Sequence, residues 1–158
     1  MIPIKIKDYF KIIKNNEKNE TIEGELSCCD SSFGVHIDGE VKRRLFSRYY
    51  LYSENNKLIL NCLCKKCNNE INVFDSRCDG YDNCLKKKKD VFKTKPFVCR
   101  KCKSNDFKVK IKYEYTDINE LDELRKKEKD NAFSWIWISL ECNKCGKKYK
   151  NFVDFETC

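Results

Sequence analysis

Glycine, proline and histidine are scarce in this chain of 158 residues, which has five glycines, two prolines and a single histidine, His36. The few glycines do not form the glycine-rich loop that cradles phosphate groups in nucleotide-binding proteins. Histidine is the side chain that acts most often as a general acid or base in catalysis, and this chain has only one. The sequence therefore predicts a protein that is not an enzyme and takes no small-molecule substrate.

Long apolar runs are missing as well. No segment approaches the roughly 18 apolar residues that a membrane-spanning helix needs, and residues 1–8 lack the apolar core of a secretory signal. These absences predict a cytoplasmic protein with no membrane association. Thiols stay reduced in that compartment, so the twelve cysteines of the chain are expected to act as metal ligands and not as disulfides.

Two exact Cys-x-x-Cys pairs stand in the second half of the chain, Cys99 with Cys102 and Cys142 with Cys145. Four thiolates presented as two pairs make the tetrahedral cage that Zn²⁺ prefers, with sulfur ligands at about 2.3 Å. A zinc ion closed by four cysteines has no position left for water, so it stabilises the fold and does not catalyse. The spacing predicts a structural zinc site.

An internal repeat predicts a second zinc site in the first half of the chain. The tract 58–74, which contains Cys64 and Cys67, matches the tract 136–152 at a constant offset of 78 residues. Upstream, Cys28 matches Cys102 at an offset of 74 residues. Cys28, Cys64 and Cys67 are therefore expected to be ligands, which makes two zinc ions per chain.

The fourth ligand of this first site stays open. Glu25 stands where the repeat would place a cysteine, and adjacent side chains diverge along an extended backbone, which argues against Cys28 and Cys29 binding one metal together. The candidates for this position are Cys62, Cys29, His36, Cys78 and Cys84. His36 is more simply explained as an ordinary strand residue. Cys158 has no partner at motif spacing and is expected to be a free thiol.

This pattern resembles the zinc-ribbon superfamily, in which two cysteine knuckles at the ends of β-hairpins hold one zinc ion and a three-stranded sheet extends from it. The resemblance covers roughly residues 21–77 and 96–157. It implies a ligand role for the cysteines of both Cys-x-x-Cys pairs in the second half, and for Cys28, Cys64 and Cys67 in the first. The superfamily serves transcription factors, polymerase subunits, ribosomal proteins and interaction modules, so the resemblance implies a fold and a metal without implying an activity.

The predicted fold class is mainly β with minor α, built as two tandem zinc-ribbon-like β modules. Hydrophobic residues at helical spacing predict a short N-terminal helix in residues 1–20. The first module is expected at 21–77, a basic linker at 78–95 and the second module at 96–158. Within the second module, strict alternation predicts a strand over 107–115, and a capped apolar pattern predicts a helical insert over 117–128.

The net charge of +8 is concentrated in one short stretch, residues 86–103, which carries nine cationic side chains and one acidic one. The cations are Lys86, Lys87, Lys88, Lys89, Lys93, Lys95, Arg100, Lys101 and Lys103. Clustering of this kind favours salt-dependent contact with nucleic acid, and a solvated linker between modules is the competing interpretation.

Two clusters of aromatic residues could either pack within the protein or contact nucleic acid. Phe133, Trp135 and Trp137 alternate along a predicted strand, where packing in a core or between the two modules is favoured over stacking on bases. Tyrosines 49, 50 and 52 lie beside arginines 43, 44 and 48. The partner is predicted to be nucleic acid or, alternatively, a protein that this chain binds as an antitoxin, an immunity-type partner or a regulatory subunit.

Overall fold

The computed structural model of the chain describes residues 1–81 and 93–157. Strands dominate this part of the chain, which confirms the prediction of a mainly β protein. They are β1 (Phe10–Asn16), β2 (Thr21–Leu26), β3 (Phe33–Asp38), β4 (Glu40–Arg44), β5 (Arg48–Tyr52), β6 (Ile59–Cys64), β7 (Glu70–Asp75), β8 (Lys95–Phe97), β9 (Phe107–Tyr115), β10 (Phe133–Cys142) and β11 (Lys148–Glu156).

Helical structure is limited to short segments in the described residues. The one α-helix, α1, covers Glu123–Lys127, and the 3-10 turns are Ile4–Tyr9, Glu17–Asn19, Leu45–Ser47, Ile118–Glu120 and Lys129–Asn131. None of the helices in residues 1–81 and 93–157 is long and apolar enough to cross a membrane.

The prediction of an N-terminal helical segment in residues 1–20 is wrong beyond its first turns. Ile4–Tyr9 forms a 3-10 helix, but Phe10–Asn16 is a strand that pairs antiparallel with β2. Strand β2 offers a free edge to this segment, and pairing with it satisfies the backbone groups of β1. Ile12 and Ile13 consequently lie exposed instead of contributing to a helical apolar face.

The segment between β9 and β10 is divided, whereas the sequence predicts one helix over 117–128. Two 3-10 turns flank the five residues of α1. The carboxylate of Asp117 accepts a hydrogen bond from the backbone N–H of Asn119 at 2.9 Å, so it supports the first of these turns. The insert is therefore a series of short turns.

Strands from both halves of the chain share one nine-stranded sheet, while β4 and β5 form a separate hairpin. Strand β9 pairs along its length with β10. Its other edge pairs with β2, and at Phe107 with β3. Strand β8 also pairs with β3. Hydrogen bonds thus connect the segments 21–77 and 96–158, whose division into two modules stays a prediction.

The alternation predicted for residues 107–115 is confirmed in β9, where the apolar and aromatic positions are buried and the polar positions between them are more exposed. The buried face of β9 contributes to one hydrophobic core that includes residues of both halves. At one end of this core, Phe107 lies opposite Cys142 and Phe33 lies opposite Cys64. The sheet therefore ends in cysteines at two neighbouring places.

Candidate metal centres and cationic surface

The four cysteines of the second half converge as predicted from their spacing. The Sγ atoms of Cys99, Cys102, Cys142 and Cys145 all lie within 4.8 Å of one another. The Sγ atoms of Cys99 and Cys145 are 3.6 Å apart, and those of Cys102 and Cys142 are 3.5 Å apart. A disulfide would bring two sulfurs to about 2.05 Å, whereas the edge of a tetrahedron with Zn–S bonds of 2.3 Å is roughly 3.8 Å. The donor set and its spacing therefore fit a zinc ion.

The first site is completed by Cys29. The Sγ atoms of Cys28, Cys29, Cys64 and Cys67 lie within 4.8 Å of one another, and those of Cys28 and Cys67 are 3.6 Å apart. The expectation that two adjacent cysteines diverge fails here because the backbone bends at residues 28–31. The backbone N–H of Cys28 donates to the carbonyl of Asp30 at 3.1 Å, which a straight strand would not allow. Two four-cysteine groups are thus available to bind metal.

The other candidates for the fourth ligand lie elsewhere. Cys62 is fully buried in the core, opposite Val35 on β3, and burial raises the pKa of its thiol. His36 lies on β3 and is absent from both cysteine groups. Cys78 follows β7 and is also outside both groups. Cys84 and Cys158 are outside the described residues, as are Lys86–Lys89.

Three of the four cysteine pairs share one backbone geometry. In each Cys-x-x-Cys knuckle, the residue after the second cysteine has a positive φ: 59° at Asn68, 62° at Lys103 and 73° at Gly146. The N–H of that residue donates to the carbonyl of the first cysteine of its knuckle, at 2.8 to 2.9 Å. Glycine and asparagine adopt this left-handed conformation most readily. The vicinal pair Cys28–Cys29 replaces the fourth knuckle.

Local hydrogen bonds favour the thiolate form at one buried cysteine of each site. The backbone N–H of Cys67, with further N–H donors, lowers the pKa of Cys64 to about 6 despite its burial. Burial raises the pKa of Cys99, but the hydroxyl of Tyr149 and the N–H of Cys102 outweigh this effect and bring the pKa to about 6. In the same two groups, the hydrogen bond with Cys67 raises the pKa of Cys29, and burial raises the pKa of Cys142. Metal binding requires thiolates, so each site offers one thiolate readily and releases further protons when a cation binds.

A polar contact connects the two sites. The carboxylate of Asp106 accepts hydrogen bonds from the hydroxyl of Ser32 at 2.6 Å and from the side-chain amide of Asn143 at 2.9 Å. Ser32 follows the vicinal cysteine pair, and Asn143 lies inside the last knuckle of the second site. Asp106 therefore holds a loop of one metal site against a loop of the other.

Five cationic side chains of the basic stretch lie within the described residues, and all five are exposed: Lys93, Lys95, Arg100, Lys101 and Lys103. Arg100 and Lys101 lie inside the first knuckle of the second site. The guanidinium of Arg100 is 5.9 Å from the ring centroid of Tyr49 on the β4–β5 hairpin. The knuckle and the hairpin are thus neighbours, which the sequence did not indicate.

Cations from three separate segments meet around Tyr49. Besides Arg100, the guanidinium of Arg43 lies 6.0 Å from this ring and the ammonium of Lys147 lies 5.6 Å from it. Arg43 belongs to β4, and Lys147 precedes β11. We call the β4–β5 hairpin together with Arg100 and Lys147 the cationic surface. An aromatic ring attracts cations through its face, so Tyr49 can hold these like charges close to one another.

The two tryptophans are not part of the buried core, and their packing between modules stays a prediction. Phe133 is buried, but Trp135 and Trp137 are only partly buried, because the register between β10 and β9 shifts after Phe133. The two indole rings stack at 5.5 Å with an angle of 9° between their planes. The ammonium of Lys112 lies 4.8 Å from the ring of Trp137. An aromatic pair thus lies on the outer side of the sheet.

Comparisons of the chain with protein-family models, with curated proteins and with solved structures found no match. The interpretation of the two sites therefore rests on the geometry and the chemistry of their cysteines.

Proposed function

We propose that this protein is a non-enzymatic zinc protein whose two closed thiolate sites hold an interaction scaffold of the zinc-ribbon type. The observation that carries the proposal is the convergence of two groups of four Sγ atoms, each within 4.8 Å. Four thiolates fill the coordination sphere of zinc and leave no position for a reacting water. Zinc in such a site contributes folding energy, and thiolates of this kind persist in a reducing compartment such as the cytoplasm.

We further propose that the scaffold associates with nucleic acid. The cationic surface and the exposed cations of residues 93–103 support this, because they place positive charge from distant parts of the sequence side by side. Phosphate contacts from lysine and arginine supply most of the salt-dependent affinity for nucleic acids. A zinc-stabilised sheet would keep these cations in a fixed arrangement.

The metal part of the proposal is tested by elemental analysis and chelation. We expect two zinc ions per chain, and we expect chelation to unfold the protein because site formation is coupled to folding. Cys142→Ser should destabilise the protein strongly, whereas the control Cys158→Ser should have little effect. A metal-free protein that keeps dispersed NMR signals would refute the structural role.

The nucleic-acid part is tested by fluorescence anisotropy with labelled DNA and RNA at low salt. Replacing Arg100, Lys101 and Lys103 together by glutamine should weaken binding. It should also reduce the slope of log K against log salt by about 0.7 to 0.9 for each phosphate that is no longer neutralised. The matched control replaces three exposed lysines, Lys18 of the turn Glu17–Asn19 together with Lys11 and Lys14 of β1. This strand lies at the opposite edge of the sheet from β11, with three strands between them. Absence of binding at low salt would refute this part.

A protein partner is the second candidate function. The partly exposed, stacked pair Trp135 and Trp137 favours it, because aromatic side chains are enriched in protein interfaces. Copurification of a stoichiometric protein that is lost in a Trp135→Ala, Trp137→Ala variant would support this candidate. A monomer that retains only nucleic acid would contradict it.

A further inference from the structure

The tip of the β4–β5 hairpin carries an apolar pair that the fold does not cover. Leu45 is 85% exposed and Phe46 is 100% exposed. They belong to the three-residue turn Leu45–Ser47, which joins the cross-strand pair Arg44 and Arg48. A fully exposed phenylalanine ring contributes nothing to the core, so the whole ring is accessible to a ligand.

The backbone at Phe46 is unfavourable for its side chain. Its φ of 65° and ψ of 33° lie in the left-handed region, where a bulky side chain is disfavoured and where glycine would be unstrained. Phe46 thus combines an exposed ring with an unfavourable backbone conformation. Conformational strain of this kind concentrates at sites that bind ligands.

The charges below the tip select the kind of ligand. Arg44 lies directly opposite Arg48 in the hairpin, and like charges in that position repel each other. The guanidinium of Arg44 is 4.3 Å from the ring of Tyr50, and the ammonium of Lys42 is 3.6 Å from the ring of Tyr52. The only acidic side chain in residues 40–52 is Glu40, at the end far from the tip. Asp154 of β11 lines a pocket with both arginines, and its carboxylate already accepts a hydrogen bond from the indole N–H of Trp135 at 2.8 Å. An anionic ligand would relieve this repulsion.

The base of the hairpin is attached to the metal-bearing part of the fold. Leu51 is buried, and the ring of Tyr49 lies 6.0 Å from that of Tyr149 on β11. The hydroxyl of Tyr149 donates in turn to the Sγ atom of Cys99 at 3.3 Å. The tip therefore projects from an anchored base, which reduces the conformational entropy that binding would cost.

We infer that the hairpin places the ring of Phe46 against the face of a nucleobase while Arg44 and Arg48 contact the phosphates on either side. This inference rests on the proposed association with nucleic acid and identifies its contact element. An aromatic ring can stack on any base, because every base has a π-face. In duplexes, apolar side chains next to cationic ones insert between base steps. A lipid surface is a weaker candidate, because the strength of binding to it scales with the apolar area that is buried, and two apolar residues bury little.

Arg44 and Arg48, which flank the turn at the tip, are suited to binding phosphate. Its planar guanidinium matches phosphate oxygens with two parallel hydrogen bonds, which an ammonium group cannot do. A two-stranded β-ribbon is also narrow enough to enter the major groove of a duplex. The shared chemistry is an accessible base face next to phosphate, which a single strand or a locally unstacked duplex can supply.

The test compares Phe46→Gly with Ile13→Ala, a control that removes another exposed apolar side chain, on β1. Binding is measured by anisotropy with a labelled single strand of about 20 nucleotides, which exceeds the usual site size of a single-strand binder, and with the duplex of the same sequence, each at several salt concentrations. Phe46→Gly should keep or raise the thermal unfolding midpoint, because glycine relieves the strain. It should weaken binding roughly tenfold with an unchanged salt slope. Ile13→Ala should bind like the natural protein.

A second pair of measurements separates stacking from charge. Arg44→Gln with Arg48→Gln should reduce the magnitude of the salt slope by about 1.4 to 1.8. The fluorescence of 2-aminopurine placed in the oligonucleotide should change when the natural protein binds and should not change with Phe46→Gly. The strand form that shows this change identifies whether a single strand or a duplex supplies the base.

Three outcomes would overturn the inference. If the natural protein binds nucleic acid and Phe46→Gly binds equally well, the hairpin inference fails while the proposed function stands. If the natural protein binds no nucleic acid at low salt, the proposed function fails and the inference with it. If Phe46 is required for binding vesicles that contain anionic phospholipid, while oligonucleotides are not bound, the ligand is a lipid surface and the inference is wrong.

Discussion

Two buried tyrosines should respond in opposite ways to the same chemical change. The hydroxyl of Tyr113 is the one buried side-chain oxygen or nitrogen in residues 1–81 and 93–157 that has no hydrogen-bond partner. Its ring is fully buried, with its centroid 4.8 Å from that of Phe133 and 6.0 Å from that of Phe10. Tyr113→Phe keeps these ring contacts and removes only the unsatisfied hydroxyl.

The expected size of the effect follows from the cost of an unsatisfied buried polar group, which is about 1 to 3 kcal/mol. Taking about 1 kcal/mol as recovered, the unfolding midpoint should rise by roughly 2 to 4 °C in a protein of this size. Burial also raises the pKa of Tyr113 well above the usual range, so the gain should not depend on pH near neutrality.

Tyr149→Phe is the matched comparison. The Tyr149 hydroxyl donates to Cys99 Sγ at 3.3 Å and accepts from the backbone N–H of Arg100 at 2.8 Å. Its removal leaves that N–H without its partner and should destabilise the protein by about 1 to 2 kcal/mol.

The assay is thermal unfolding of the zinc-loaded proteins at fixed free zinc, followed by circular dichroism. A Tyr113→Phe variant that is less stable than the natural protein would refute the reasoning. It would mean that a buried water or another group satisfies the hydroxyl.

Three further predictions concern the sheet and the metal sites. Asp106→Ala should destabilise the protein and speed zinc release to a chromophoric chelator, because it removes the contacts with Ser32 and Asn143; an unchanged release rate would contradict the proposed bridge. Gly24→Ala should destabilise the protein, since its Cβ would lie 2.5 Å from the ring of Phe10 and 2.6 Å from the backbone carbonyl oxygen of Lys11; a midpoint equal to that of the natural protein would show that both the Phe10 ring and strand β1 move without cost. Stability at fixed free zinc should decrease as pH falls, because zinc binds thiolates and protons compete with it for the eight cysteines of the two groups. A midpoint independent of pH would contradict this.

The sequence predicted the parts of the site that depend on local spacing. Each Cys-x-x-Cys knuckle is a short turn whose geometry follows from a few consecutive residues, and the strand over residues 107–115 follows from strict alternation. Cys29 could not be identified in this way, because its convergence with Cys28 depends on a bend stabilised by Asp30. A bend of this kind has no periodic signal.

Other features depended on pairing between distant segments. The first strand, Phe10–Asn16, carries a helical apolar pattern and becomes a strand only because β2 provides an edge for it. Trp135 and Trp137 lie outside the core because the register shifts after Phe133. Neither the partner edge nor the register shift is visible in the local sequence, and the meeting of Arg100 with the hairpin is equally non-local.

The order of strands in the sheet also constrains how the protein is made. Strand β2 completes its pairing only with β9, and β3 only with β8 and β9, which are translated many residues later. While the ribosome is still synthesising the middle of the chain, these edges have no partners, and edges of this kind favour association between chains. The cysteines of the first site, by contrast, are all present once residue 67 has been made. Early capture of zinc there would hold β3 against β6 and β7 until the later strands arrive, and so protect the growing chain from aggregation.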